Sequence, residues 1–143
     1  MKIALASDHG GFKLKELIKV YLYSRNIEVL DLGTNSEDSV DYPVYGEKCG
    51  VSVVSGAADL GIVCCGTGIG IAIAANKVKG IRCAVCSDVL TATLAKEHNN
   101  ANIISLGGRT IDHDQAPAIV NAWLDSVFQG DRHQRMVKML DDM

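Results

Sequence analysis

Leu60-Gly61-Ile62-Val63-Cys64-Cys65-Gly66-Thr67-Gly68-Ile69-Gly70 is the stretch on which the fold of this chain turns. Its first half, Leu60–Cys65, is a nearly uninterrupted apolar run, as expected for a strand buried on both faces of a parallel sheet. Its second half alternates three glycines just where the strand must give way to a small-residue helix, predicted over Thr67 to about Lys77. Working outward, the same alternation of short apolar runs and helical periods recurs along the chain. Lys2–Ala6 reads as a strand and Ser7-Asp8-His9-Gly10-Gly11 as its turn. Phe12, Leu14, Leu17, Ile18, Tyr21 and Leu22 then mark a helix from Gly11 to about Ser24. Ile27–Leu32 is a second strand, and Asp41-Tyr42-Pro43 opens a helix with proline in its first turn.

Downstream, Ile81–Val85 and Asn102–Leu106 are the fourth and fifth strands. Asp88–Glu97 is a helix with Asp88 as its N-cap. Asp114–Phe128 and Arg132–Leu140 are the last two helices. Five strands separated by helices predict an α/β fold: a three-layer, Rossmann-like αβα sandwich with a five-stranded parallel sheet. In such sheets ligands lie beyond the carboxyl ends of the strands, near the point where the strand order reverses.

Composition narrows the function. The 143 residues suit one domain, 1–143, with 48% hydrophobic residues and 22% charged ones, which excludes disorder. Fourteen basic residues against seventeen acidic ones, with no basic stripe, argue against a nucleic-acid partner. The longest uncharged stretch, Leu60 to Ala75, is too short and glycine-rich to span a bilayer. Lys2 with Ile3–Ala6 is too short an apolar segment for a secretion signal. Five cysteines, an odd number, read as free thiols in a reducing compartment, so a cytoplasmic location is expected.

The strand ends carry the chemistry. Strand one leads into Asp8-His9, strand three into Cys65–Gly70, and strand five into Gly107-Gly108-Arg109. The Cys65–Gly70 loop is neither a dinucleotide fingerprint nor a Walker loop. Ile71 stands where the third glycine of the first belongs, and Ile71-Ala72 where the second needs Lys-Ser/Thr. Nor is it a cysteine-phosphatase loop, because the position that needs arginine is again Ile71. Three glycines opening a helix still suit an anion or a developing oxyanion. Cys65 stands at that helix start, where thiols are activated, and either base or nucleophile chemistry is open to it.

Cys49, Cys64, Cys83 and Cys86 read as small core hydrophobes. Asp8 and His9 either face a ligand or cap the first helix. His98, followed by Asn99, closes a helix at the end that accommodates a cation. Asp112-His113-Asp114 reads as a solvated helix start, and no ligand set for a metal stands out. Arg132-His133-Gln134-Arg135 either grips a phosphate or forms a solvated helix face.

Taken together, these motifs resemble the type B ribose-5-phosphate isomerases, in the family that includes the galactose-6-phosphate isomerase subunits. The matching residues are Ser7–Gly11, Asp41-Tyr42-Pro43, Cys65–Gly70 with Ala74–Lys77, Gly80-Ile81-Arg82, His98–Asn102, Gly108-Arg109, and Gly130 with Arg132-His133-Gln134. They span essentially the whole chain in the family's order. The resemblance implies aldose–ketose isomerisation of a phosphorylated sugar through a cis-enediolate, without metal or organic cofactor. It makes Cys65 the base between C1 and C2, and gives enediolate stabilisation to Thr67 and the amides of Gly66, Gly68, Ile69 and Gly70. His98 would open the furanose ring and Asp8 would position substrate hydroxyls. His9, Asn99, Arg109 and Arg132 would hold hydroxyls or the phosphate.

It also implies a homodimer, or a homotetramer built from it, with sites at the interface and the C-terminal arginine reaching into the partner's pocket. Met136, Met139, Leu140 and Met143 give the last helix, about 132–142, an apolar stripe to pack on that partner. One position departs from the family: its second C-terminal arginine is replaced by Met136, which bears on phosphate affinity and sugar length. A hexose-6-phosphate isomerase acting on allose or galactose 6-phosphate is the alternative within the family. The intact Cys65 loop argues against a galactose-6-phosphate subunit that has lost its base. A non-catalytic sugar-phosphate-binding module is the alternative outside enzymes.

Overall fold

The computed structural model describes residues 1–143. Its five strands are β1 (Lys2–Ser7), β2 (Glu28–Asp31), β3 (Leu60–Cys65), β4 (Cys83–Val85) and β5 (Ile103–Gly107). All pair in parallel, in the order β2-β1-β3-β5-β4. Six helices accompany them: α1 (Phe12–Ser24), α2 (Tyr42–Val54), α3 (Ile69–Asn76), α4 (Val89–Glu97), α5 (Ala116–Asp125) and α6 (Arg132–Asp141). The expected three-layer α/β architecture is therefore the one observed. The order reverses between β1 and β3, because β1 passes to β2 on one side and the rest of the sheet grows on the other.

Strand alternation divides the interior into two cores. Ile3, Leu5, Ile62, Cys64, Ile104 and Leu106 face α1, α4 and α5, where the fully buried Trp123 donates its Nε1–H to the Ala101 carbonyl at 3.0 Å. Ala4, Ala6, Val63, Cys65 and Ile103 face α2 and α3. The adjacent thiols of Cys64 and Cys65 thus enter opposite layers. On the second face α2 lies very close to α3: a Cβ at Gly46 would stand 2.7 Å from the Ile71 carbonyl oxygen. That approach fixes α3 and the loop that starts it.

Several boundaries differ from the expected ones. α3 starts at Ile69 rather than Thr67, because Gly68 adopts φ +78°, a left-handed conformation that no helix continues through. β4 starts at Cys83 rather than Ile81, since the Ile81 amide closes a turn onto Val78 and the Arg82 amide donates to the Asn102 side chain. α5 stops at Asp125 rather than Phe128, where Ser126 turns extended, and residues His113–Gln115 ahead of it form a 3-10 turn. Asp88 caps α4 as expected, in a capping box with Thr91. No helix is long and apolar enough to cross a membrane.

Candidate active site

Two cavities of similar size open on the surface, each about 500 Å³. One lies over the carboxyl ends of β1, β3 and β5, at the switch in strand order. Asp8, Cys65, Gly66, Thr67, Ile69, Gly70 and Arg109 border it, as the sequence leads one to expect. Tyr42 and Ile73 border it too, and neither was foreseen as a site residue. The other cavity lies beside β4 and the end of α6, and its lining includes Asn99, Arg82 and Leu140. It lacks the thiol–glycine-loop combination, which makes the first the candidate site.

The loop after β3 is held from several directions. Gly68 donates its N–H to Cys65 Sγ at 3.1 Å and accepts from the buried Ser105 hydroxyl at 2.5 Å through its carbonyl. Ile69 donates its N–H to Thr67 Oγ1 at 3.2 Å. The amides of Gly66 and Thr67 have no partner within the chain, and that of Gly70 lies in the first turn of α3, where helices leave N–H groups unpaired. The result is a short arc of amide donors beside a thiol that is 4% exposed. Burial pushes the thiols of Cys49 and Cys86 up to about 12, and raises those of Cys64 and Cys83 as well. Those four are poor thiolates near neutral pH, consistent with their expected role as core hydrophobes.

Neighbouring loops close on this arc with backbone against backbone. A Cβ at Gly11 would collide with the Cys64 carbonyl, and one at Gly108 would stand 2.6 Å from the Gly10 oxygen. The paired glycines at the ends of β1 and β5 are therefore packing requirements; only Gly66 and Gly70 border the cleft itself. Arg109 lays its guanidinium over Gly66, with Nη1 3.1 Å from where a Cβ would be. It has no carboxylate partner. His113 accompanies this loop, its Nε2 2.7 Å from the Gly108 carbonyl, so the segment expected only as a solvated helix start also braces the site. Asp8 is 7% exposed and accepts from the Gly11 N–H at 3.1 Å, so it caps the first turn and borders the cleft at once. His9 Nδ1 accepts from the Val40 amide at 3.2 Å, which leaves Nε2–H free to donate.

Within one chain His98, Asn99 and Arg132 do not join this group. α4 runs back against the strands, so His98 at its C-cap stands at the amino edge of the sheet. Four residues on, the Asn102 carbonyl accepts from Gly61 at the start of β3. Cys65 is at that strand's other end, roughly 15 Å away. At the amino edge His98 stacks on His133 of α6, with ring centroids 4.3 Å apart and planes within 10°. Within a single subunit His98 and Cys65 therefore lie at opposite edges of the sheet, because α4 runs antiparallel to the strands. No three His, Cys, Asp or Glu side chains converge closely enough to hold a metal ion.

Residues 3–140 match the family model described as Ribose/Galactose Isomerase. The chain is 45% identical over 139 residues to ribose-5-phosphate isomerase B of Escherichia coli strain K12, covering 97% of this chain and 93% of that protein. The chain belongs to the ribose/galactose isomerase family. Its fold matches that of ribose-5-phosphate isomerase B from Clostridium thermocellum with a TM-score of 0.98 at 51% identity, over 99% of this chain and 96% of that one. It also matches the Mycoplasma genitalium ribose-5-phosphate isomerase B solved with bound ribulose-5-phosphate, with a TM-score of 0.94 at 38% identity, over 99% and 94% of the two chains. Membership makes this an isomerase, and the cleft over β1, β3 and β5 is the place to seek its chemistry.

Proposed function

We propose that the chain interconverts ribose 5-phosphate and ribulose 5-phosphate through a cis-enediolate, without metal or organic cofactor. The observation that carries this reading is the Cys65 thiol set beside an arc of amide donors at the start of α3. A base needs a proton acceptor next to the carbon, and the enediolate needs donors aimed at its oxygens. His98 moves a proton to the ring oxygen as the anomeric hydroxyl loses one, giving the open aldehyde. Cys65 then takes the C2 proton, and the C–H electron pair forms the C1=C2 bond. The O1 and O2 charge falls to the Thr67 hydroxyl and the unpaired amides of Gly66, Thr67 and Gly70, while the Gly68 and Ile69 N–H groups hold Cys65 Sγ and Thr67 Oγ1 in place. Return of the proton to C1, with transfer of the O2 proton to O1, yields the ketose. The electrons balance within the sugar. Asp8 orients hydroxyls, while His9, Asn99, Arg109 and Arg132 hold hydroxyls and phosphate.

The separation of the two groups calls for two copies of the chain. Cys65, Asp8 and Arg109 occupy the carboxyl edge, whereas His98, Asn99 and Arg132 occupy the amino edge. A two-fold pair sets one subunit's amino-edge group against its partner's cleft. The exposed Ile69 and Ile73 beside the cleft, and Met136, Met139, Leu140 and Met143 on and after α6, provide apolar surface for that contact. α6 buries Val137 and His133 on its own subunit and keeps the methionine stripe outward for the partner. The five unpaired cysteines suit a cytoplasmic enzyme.

A hexose 6-phosphate is the second reading, favoured by the half-exposed Met136 in the basic cluster, where an apolar side chain leaves room rather than charge. Turnover of ribose 5-phosphate measured beside allose 6-phosphate and galactose 6-phosphate tests both. The pentose is expected to give the highest kcat/KM; a higher value for either hexose would reverse the assignment, and no turnover of any sugar would reject the isomerase mechanism.

A further inference from the structure

Ring opening, on the reading above, falls to His98, yet a lone imidazole at a helix end has neither a fixed plane nor a fixed protonation state. The structure supplies a second ring. His133, 8% exposed, lies parallel to His98 across 4.3 Å. Its backbone is carried there by a sharp turn in which Gly130 and Asp131 both have positive φ. The turn is tied to α4 by two bonds from Gln129, one from its amide to the Glu97 carbonyl at 3.0 Å and one from its side chain to the Glu97 carboxylate at 3.2 Å. The stack is thus a built contact between the end of α4 and the start of α6.

The two rings sit at opposite helix poles. His98 is the C-cap of α4, the end of a helix that accommodates a cation, whereas His133 lies in the first turn of α6, the end that repels one. The charged groups facing His133 are His98, Arg132 and Asp131. Burial, then His98, then Arg132 disfavour its protonated form, and Asp131 only partly opposes them. Two stacked imidazoles whose surroundings differ in this way divide acid and base roles between them.

We propose that His133 is a positioning residue for the isomerisation: its stacked ring fixes the plane of His98 and leaves the proton of the pair to His98. A neutral ring stacked on a charged one also stabilises the cation through its π face. This rests on the reading of His98 as the ring-opening group. It deepens that reading by naming what prepares the acid.

The test compares H133A, which removes the ring, with H133F, which keeps a flat partner but cannot titrate. The ring signals of His98 are followed by proton NMR from pH 5 to 9, and kcat and KM for ribose 5-phosphate over the same range. H133A is expected to lower kcat about tenfold with KM changed less than twofold, the cost of a mis-set catalytic group. H133F should recover most of that kcat and keep the His98 titration near its wild-type position, because a flat, neutral partner remains, whereas in H133A that titration and the acidic limb of the pH profile both move. A wild-type His98 titration in both variants would overturn the proposal, as would an H133F no better than H133A. Because the NMR titration needs no turnover, it reads the pair even if the enzyme prefers another sugar. Erythrose 4-phosphate, an aldose that cannot close a furanose ring, separates the two levels: if H133A slows it as much as ribose 5-phosphate, His133 does not act through ring opening.

Discussion

Gly68 joins Cys65 to Ser105. Its N–H points at the Cys65 sulfur at 3.1 Å, and its carbonyl accepts from the Ser105 hydroxyl at 2.5 Å. One peptide on either side of a left-handed glycine thus connects the thiol at the end of β3 to the interior of β5. Removing the Ser105 hydroxyl frees that residue to rotate. Ser105→Ala should cost about 1 kcal/mol in urea unfolding. Because the amide then wanders from the sulfur, kcat should fall by more than the stability change alone explains. An unchanged kcat would mean that the Gly68 contact plays no part in activating the thiol.

Gly68→Ala attacks the same joint from the backbone. Its new Cβ would stand 2.9 Å from the Leu106 carbonyl carbon, at a φ of +78° that L residues rarely adopt. The expected loss is about 1–3 kcal/mol, with thermal unfolding as the measurement.

Cys65→Ala should reduce exchange of the substrate C2 proton with deuterated solvent by roughly 10²–10⁴-fold while a competitive sugar-phosphate inhibitor still binds. Retained exchange would remove Cys65 from the role of base. In the wild type, iodoacetamide at pH 7.5 should modify Cys65 first, since burial raises the other four thiols, those of Cys49 and Cys86 to about 12.

Mixing subunits tests the shared site directly. Cys65→Ala disables the carboxyl-edge half of a site and His98→Asn the amino-edge half. Unfolded, mixed in equal amounts and refolded, half the dimers should be hybrid, each with one intact site. About a quarter of the wild-type activity should then return from two weakly active parents. No recovery would place both residues of a site on one subunit.

Acid should weaken the fold through two groups. Burial raises the Asp31 carboxyl, but its bonds to Lys15 at 2.8 Å, to Lys19 and to the Gly33 amide outweigh this and hold it below the ordinary range. Its contribution is full above about pH 4 and is lost as pH falls through the depressed folded value. His133, also held below its ordinary value, leaves stability intact above about pH 6.5 and erodes it as pH drops through the folded value. Urea midpoints measured from pH 3 to 8 should show both steps, and H133F should lack the upper one. Lys15→Met, which strips the fully buried partner from Asp31 but leaves Lys19, should cost about 2 kcal/mol at pH 7.

Much of this protein follows from local chemistry along the chain. An apolar run such as Leu60–Cys65 is a buried parallel strand wherever it packs, and Asp88 caps a helix through atoms three residues away. The carboxyl-edge residues, Asp8, Cys65–Gly70 and Arg109, were legible because each directly follows a strand, and parallel strands bring their ends to one edge. Tyr42 was not, because its place on the cleft depends on α2 crossing close enough for the ring to lie against Gly70, where a Cβ would stand 2.6 Å from its Cε1. Ser105 gave no signal either, being one small polar residue inside a strand until β5 pairs with β3. His98 and Arg132 mark the limit most clearly. Residue type and spacing singled them out, but the direction of α4 sends His98 to the far edge, where it stacks on His133 of α6 beside Arg132, a contact between segments more than thirty residues apart that packing alone creates.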